Sequence, residues 1–301
     1  MDLAPLDLLL DSFPGAEIAY SLRQLRSAYT GPAIRVRRTS DGTEQDIGFL
    51  ADGNLDLVSL TSFVGASDGQ VKIWYDQSGN GIDLDDNADN TKLPLIIIAG
   101  VLQKSNNVVA MKFDASNDVL LSTLSLPTPA SHLFIFTVGN KVDIGNNTDL
   151  FNLNSPDDPN HVFVRISNAN MIIWDAGPSG SNRLTSPLGF NDTLHHVYAF
   201  SKTAGTDNQR ILEDSIQIAQ RTQGSTSTVL SEISVGATGP TSGPFASYQY
   251  QELVFYDTDQ QVNLFTISNA IMNYWKSVAF LTEDSLNIIT TEDDIALVTE
   301  A

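Results

Sequence analysis

The sequence predicts an all-β protein built as two antiparallel sheets packed face to face. From residue 71 onward, short runs rich in β-branched and aromatic residues recur at Val71–Tyr75, Leu95–Val101, Val109–Phe113, Leu133–Val138, His161–Ile166, Met171–Trp174, His196–Ser201, Gln209–Glu213, Ser215–Gln220, Glu232–Val235 and Tyr250–Tyr256. Turn residues separate these runs and no helical periodicity intervenes, a pattern that calls for a sandwich. With 301 residues and 42% apolar content, one large core with short appendages fits better than two equal domains.

Residues 1–15 read as an extended N-terminal arm ending at Phe13-Pro14-Gly15. A short amphipathic helix is expected next, with Ile18, Leu22 and Leu25 on one face. Ala33–Arg38 alternates apolar with basic residues, as a half-exposed strand does. Asp41-Gly42 then turns the chain back through Asp46–Phe49. After Ile73-Trp74-Tyr75-Asp76-Gln77 comes a tight polar turn, Ser78-Gly79-Asn80-Gly81, whose two glycines permit positive φ. The body of the sandwich spans 16–280 and closes with a helix over roughly 259–274. Residues 281–301 form an acidic tail that repeats Thr-Glu-Asp at 282–284 and 291–293. Leu286, Ile288, Ile295 and Leu297 lie between the acidic units. Two strands are marginal alone in water, so the tail is expected to pair with the sandwich edge or a neighbouring subunit.

The 16 basic and 36 acidic residues give a net charge of −20, which disfavours nucleic acid and anionic membranes as partners. The chain has no cysteine, which excludes disulfides and thiolate zinc sites. No apolar stretch approaches the ~18 residues that would insert in a bilayer. Met1–Asp7 lacks the basic segment of a signal peptide, so synthesis in the cytoplasm is expected.

Several of these segments resemble known families. Ala19–Arg23, Tyr29–Pro32, Val36–Asp41 and Asp46–Gly48, followed by Tyr75–Gly81, are similar to the opening of the arabinofuranosidase B catalytic domain. Ala110–Asp114, His195-His196-Val197, Leu212–Ser215, Tyr250–Leu253 and Tyr256-Asp257 resemble the laminin-G or concanavalin A-like lectin pattern. The resemblance implies a concanavalin-like jelly roll. Joined to a Thr-Glu-Asp tail, it also resembles structural proteins of tailed bacteriophages. A virion component is therefore expected: a capsid decoration, tail or fibre protein, not an enzyme. Its expected partners are other virion proteins, copies of itself and host surface glycans.

The alternative is a glycoside hydrolase acting on arabinofuranosyl glycans, and a free-standing carbohydrate-binding module is a third reading. In the arabinofuranosidase family the resemblance places a general acid just after a late Ile-Gly-Gly strand and the nucleophile in a cysteine-rich segment. Here Val235-Gly236-Ala237-Thr238-Gly239-Pro240 carries no acid, and cysteine is absent. Glycan contacts are expected at Trp74, Tyr75, Asp76, Asn80 and Trp174, where aromatic and polar groups adjoin strand ends. Asp83, Asp85, Asp86 and Asp89 form an oxygen-rich loop that is a candidate calcium site, although no other cofactor is expected. His195 and His196 are adjacent on a strand and point to opposite faces, so they cannot grip one metal together.

Overall fold

The computed structural model describes residues 8–85, 89–124, 130–153, 162–169, 171–176, 183–189, 192–203, 208–222, 230–237, 245–281, 287–290 and 296–299. Its larger sheet runs, in spatial order, through β18 (Ile216–Thr222), β17 (Asn208–Glu213), β16 (His195–Lys202), β11 (Leu133–Lys141), β20 (Ser247–Tyr256), β9 (Met111–Asp114), β5 (Leu95–Ile98), β4 (Gly69–Trp74), β2 (Ile34–Arg38) and β3 (Glu44–Ile47). Two further strands join it: β1 (Ile18–Ser21) pairs with β20, and β6 (Val101–Leu102) pairs with β5. The smaller sheet follows the order β10 (Leu120–Thr123), β19 (Glu232–Val235), β12 (Thr148–Leu153), β13 (Val162–Ile166), β14 (Ile172–Ala176) and β15 (Arg183–Thr185). Two hairpins stand apart, β7 (Lys104–Ser105) with β8 (Val108–Val109), and β21 (Asn287–Thr290) with β22 (Ala296–Thr299). All these pairings are antiparallel, so the expected all-β sandwich is what forms.

The core lies between the two sheets. Trp74 packs 5.5 Å from Tyr20 and 6.5 Å from Tyr250 between ring centroids, and Tyr250 meets Phe113 edge-on at 5.1 Å. Toward the other end, Trp174 and Phe151 both converge on Phe200. Strand β11, Leu-Phe-Ile-Phe-Thr-Val, is buried on both faces, and helix α3 (Leu264–Leu281) packs on the neighbouring β16. Its apolar residues run consecutively for that reason, whereas no residue of the outermost β18 is buried.

Several expected elements take another form. Ile18–Ser21 is a strand with every residue buried, not part of a helix. Its register sets Ile18 against Phe255 and Ser21 against Glu252. The helix reading followed the spacing of Ile18, Leu22 and Leu25, but Ala19 and Tyr20 are buried as well, and the ladder with β20 satisfies the backbone. The described part of the arm is not free: α1 (Leu9–Ser12) buries Leu9 and Leu10, and Leu10 N–H bonds to Leu25 O. Helix α2 (Leu57–Val64) was not expected, though its signals are present. Asp56 accepts from Ser59 N–H at its start, and Gly65 ends it with φ 60°. Among the described residues the tail strands β21 and β22 pair with one another. Ile288 and Leu297 fall in this hairpin, while Leu286 and Ile295 lie outside the described residues.

Gly236 shows how closely the sheets approach. Its φ of +91° is left-handed, and a Cβ there would stand 2.2 Å from the Phe113 ring and 2.9 Å from Asp118 O. Gly236→Ala is expected to cost about 3 kcal/mol from overpacking and backbone strain together, measured as a lower urea midpoint. An unchanged midpoint would mean that the Phe113 ring yields freely.

Candidate functional site

The Tyr75–Gly81 turn has a structural centre and a functional rim. At the centre, Asp76 is 3% exposed, and its two carboxylate oxygens accept from four donors. Oδ1 takes Ala19 N–H and Ser78 N–H, both at 2.9 Å, and Oδ2 takes the Ser78 hydroxyl at 2.6 Å and Ile82 N–H at 3.2 Å. Gln77 is equally committed. It accepts from Leu25 N–H and donates to Ser21 O and Arg23 O. Asn80 reaches back to Glu17 O at 2.9 Å. These contacts hold β1 against the turn.

The rim is made by β2, β3 and the chain on either side of the turn. Arg35 on β2 forks onto Asp46 of β3 through two bonds of 2.7 and 2.8 Å, and the Tyr75 hydroxyl donates to the same carboxylate at 2.9 Å. Asp83 accepts from Asp76 N–H at 2.9 Å. The two carboxyls are driven in opposite directions. The Arg35 hydrogen bond holds Asp46 below the usual carboxylate range, while burial, followed by the fields of Asp76 and Asp85, raises Asp83. The Tyr29 hydroxyl feels both, being pushed up to about 12 by burial and by Asp83, Asp76 and Asp46 in turn. Tyr29 also lines a polar cleft of about 380 Å³ with Gln24, Thr30, Pro32 and Gly48. Asp46 and Arg35 keep 41% and 36% of their side chains exposed, so the rim is open to a ligand.

The residues expected to contact glycan separate on this geometry. Tyr75 belongs to the rim. Trp74 and Trp174 are wholly buried and offer no stacking platform; each fills the core between aromatic neighbours. Asp76 is enclosed by its four donors. Asp46, Arg35 and Tyr29 were missed, because an exposed acid on an edge strand looks like ordinary solvated surface. The one available signal was the alternating Arg35-Val36-Arg37, which sets a cation opposite Asp46 across the hairpin.

The expected calcium ligands do not converge. Asp83 serves the turn, and Asp85 bridges Leu121 through its main chain. Asp89 accepts from the Thr91 hydroxyl and N–H and pairs with Lys92, and the Thr91 hydroxyl first, then Lys92, hold its carboxyl at about 2. Asp86 lies outside the described residues. Among the described residues no group of three or more His, Cys, Asp or Glu could hold a metal ion. His195 and His196 diverge as expected, toward Gln251 and toward Asp192 and Asp214. No helix among the described residues is long and apolar enough to cross a membrane.

Comparison with known proteins bears directly on this rim. The family model for the catalytic domain of alpha-L-arabinofuranosidase B matches residues 11–106, the segment that contains all of it. Alpha-L-arabinofuranosidase B of Emericella nidulans is 43% identical over 63 residues, which is 21% of this chain and 12% of that protein. An arabinofuranosidase/β-xylosidase of Trichoderma koningii is 41% identical over 59 residues, 20% of this chain and 12% of that protein. Among solved structures, a GH54 α-L-arabinofuranosidase soaked with a cyclic sulfate inhibitor superposes with a TM-score of 0.62 at 17% identity. The superposition covers 89% of this chain and 65% of that one. An arabinofuranosidase complexed with arabinofuranosyl-α-1,2-xylobiose gives the same TM-score and the same coverage at 18% identity. The chain thus spans 65% of these solved structures, and its matches to the curated relatives cover an eighth of their length.

These matches overturn the virion assignment. The relatives are arabinofuranosidases and not phage lectin-like proteins, and nothing among them supports a capsid, tail or fibre role, virion partners or a virion location. The expectation that the chain is not an enzyme is overturned by the match of the arabinofuranosidase B catalytic model and by the curated relatives, which are arabinofuranosidases.

The centre of the turn is testable apart from any activity. Asp76→Asn places an NH₂ group among four donors, and the loss is expected to be about 3 kcal/mol. It is read as a lowered denaturant midpoint at neutral pH, and a midpoint equal to the parent's would remove Asp76 from its central role.

Proposed function

We propose that the chain is a glycoside hydrolase acting on α-L-arabinofuranosyl groups, with its chemistry at the Arg35–Asp46–Tyr75–Asp83 rim. The observation that carries this reading is the match of the arabinofuranosidase B catalytic model to residues 11–106, which include both carboxyls and the polar cleft beside them. The superposition on two arabinofuranosidase structures supports it at the level of the fold.

Glycoside hydrolysis needs one carboxyl that is protonated and one that is ionised, either side of the scissile bond. Environments that push two acids apart assign the roles. Asp83, raised by burial, donates the proton to the leaving oxygen. Asp46, lowered by Arg35, stays ionised and stabilises the positive charge that develops on the sugar ring, and a water that takes the place of the leaving group bonds to the anomeric carbon and returns its proton to Asp83. Two guanidinium hydrogen bonds make Asp46 a weak nucleophile and a well-oriented electrostatic partner. The Tyr75 hydroxyl fixes its orientation.

Purified protein is expected to release nitrophenol from 4-nitrophenyl α-L-arabinofuranoside. Asp83→Asn and Asp46→Asn are each expected to reduce kcat by about 10²- to 10⁴-fold. Asp83 must be protonated and Asp46 ionised, so activity falls as pH rises through the raised Asp83 value and again as pH drops through the lowered Asp46 value. A bell with an acidic optimum results. No turnover by the parent protein would refute the activity; turnover that survives both substitutions would refute the site and leave the activity standing.

A further inference from the structure

His196 opens the buried part of β16 with only 11% of its side chain exposed, and both of its ring nitrogens face carboxylates. Nδ1 lies 3.0 Å from Asp214 Oδ2, and Nε2 lies 3.1 Å from Asp192 Oδ1. Glu213 Oε1 stands a further 3.7 Å from Nδ1. A neutral imidazole carries one N–H, so one of the two close contacts would set a lone pair against an anion. The imidazolium donates to both.

Asp214 is also where helix α3 is fastened. Lys276 of α3 reaches Asp214 Oδ2 at 2.9 Å, and the next residue, Ser215, meets Ser268 of α3 hydroxyl to hydroxyl at 2.9 Å. Asp214 and Ser215 form the β17–β18 turn in the left-handed region, with φ of 49° and 65°. One strained turn therefore touches α3 at two points two helical turns apart. Beside Lys276 on α3, Trp275 Nε1–H donates to the buried Glu252 at 3.0 Å, and the Tyr274 ring lies 4.1 Å from the Arg23 guanidinium. The C-terminal half of the helix covers the Arg23–Glu252 ion pair.

We propose that His196 is a pH-sensitive strap. As an imidazolium it ties the segment before β16 to the turn beneath α3, and on losing its proton it frees that turn and loosens the C-terminal half of α3 over Arg23 and Glu252. The groups facing His196 are Asp192 from the preceding segment, Glu213 and Asp214 from β17 and its turn, Lys276 from α3 through Asp214, and the Tyr198 ring from β16 at 5.5 Å. His195 points away, to Gln251. With His196 charged, three carboxylates face two cations; without it, they face Lys276 alone.

Burial opposes the charge on His196, but the Asp214 hydrogen bond and the fields of Glu213, Asp214 and Asp192 override it and raise the imidazole above its ordinary 6.5. The sign follows. A group whose folded value is raised contributes in full below the unfolded value, and that contribution is lost as pH climbs through the folded one. The strap is closed near pH 6 and opens on the alkaline side. His195, lowered by burial, has the opposite slope and cannot mimic it.

In the full chain, the His196 ring proton is expected to titrate with a midpoint above 6.5 by NMR. After correction for intrinsic rates, hydrogen-exchange protection of the 214–216 amides and of α3 around Trp275 is expected to fall severalfold between pH 6 and pH 9. His196→Gln should remove that pH dependence. Asp192→Asn, a change at a 42% exposed side chain, should keep the fold and lower the titration midpoint. A midpoint at or below 6.5, protection that does not change with pH, or a His196→Gln protein with the parent's pH dependence would each overturn the strap. Should His196→Gln not fold, the parent's titration and the Asp192→Asn midpoint decide the question alone.

Discussion

The buried carboxylate of Asp76 is the interaction on which the rest of the molecule depends. A charge taken out of water is tolerable only when hydrogen bonds replace its hydration, and here four donors from two chain segments do so. Three of the four come from the turn itself and one from β1, so the carboxylate fixes the shape of the turn and its attachment to the sheet at once. Gln77 repeats the arrangement one residue later by binding Leu25 N–H and the carbonyls of Ser21 and Arg23. β1 is laddered to β20 on one edge, and along the other these two side chains bond Ala19 N–H, Ser21 O, Arg23 O and Leu25 N–H as a neighbouring strand would. Tyr75 and Asp83 project from either side of this fixed point, which makes their positions as firm as the core.

Strand β20 sets the second constraint. Over residues 247–250 it pairs with β9, and over 252–255 it pairs with β1, while β11 runs along its other edge throughout. Glu252 lies just past this change of partner, fully buried, and its carboxylate receives Arg23, the Ser21 hydroxyl and the Trp275 indole. Removing Arg23 would leave an uncompensated charge in the interior, which is far more costly than the pair itself is stabilising. The ion pair therefore serves to register β1, β20 and α3 against each other. Arg23 stands between α3 and the turn that holds the rim: its guanidinium lies over the Tyr274 ring and pairs with Glu252, and its carbonyl accepts from Gln77.

The sandwich was legible because consecutive apolar runs such as Leu133–Val138 and turn residues between strands have few other solutions at this length. Its exceptions share a cause. Ile18–Ser21 has helical spacing of its largest residues, yet the neighbouring β20 offers a ladder that no local pattern announces. Trp74 and Trp174 look the same in sequence whether they face solvent or core, and only the opposing sheet decides. The Asp76 turn was legible as a special place, but whether its acid is exposed or enclosed depends on β1, nearly sixty residues earlier. The rim was least legible of all. Asp46 and Asp83 are separated by thirty-seven positions, and what distinguishes them is the company of Arg35 in one case and of burial in the other.

That difference suggests where chemistry can reside in a chain with 36 acids. Asp149 and Asp175, on the outer face of the smaller sheet, are fully buried and clamped by Arg165 and Arg183. Asp76 is enclosed by donors, and Glu252 is locked in its ion pair. A carboxyl so fully committed cannot trade a proton or meet a new charge without giving up part of the fold. Asp46 and Asp83 stand at an intermediate level, held well enough to be oriented and exposed enough to be reached. The absence of an acid from Val235–Pro240 does not weigh against this, because a general acid is defined by its reach and its protonation state and not by its place in the chain. On the proposed function the fold need bring together only two acids with opposed environments, Asp46 from the β2–β3 hairpin and Asp83 from the chain that follows the Asp76 turn.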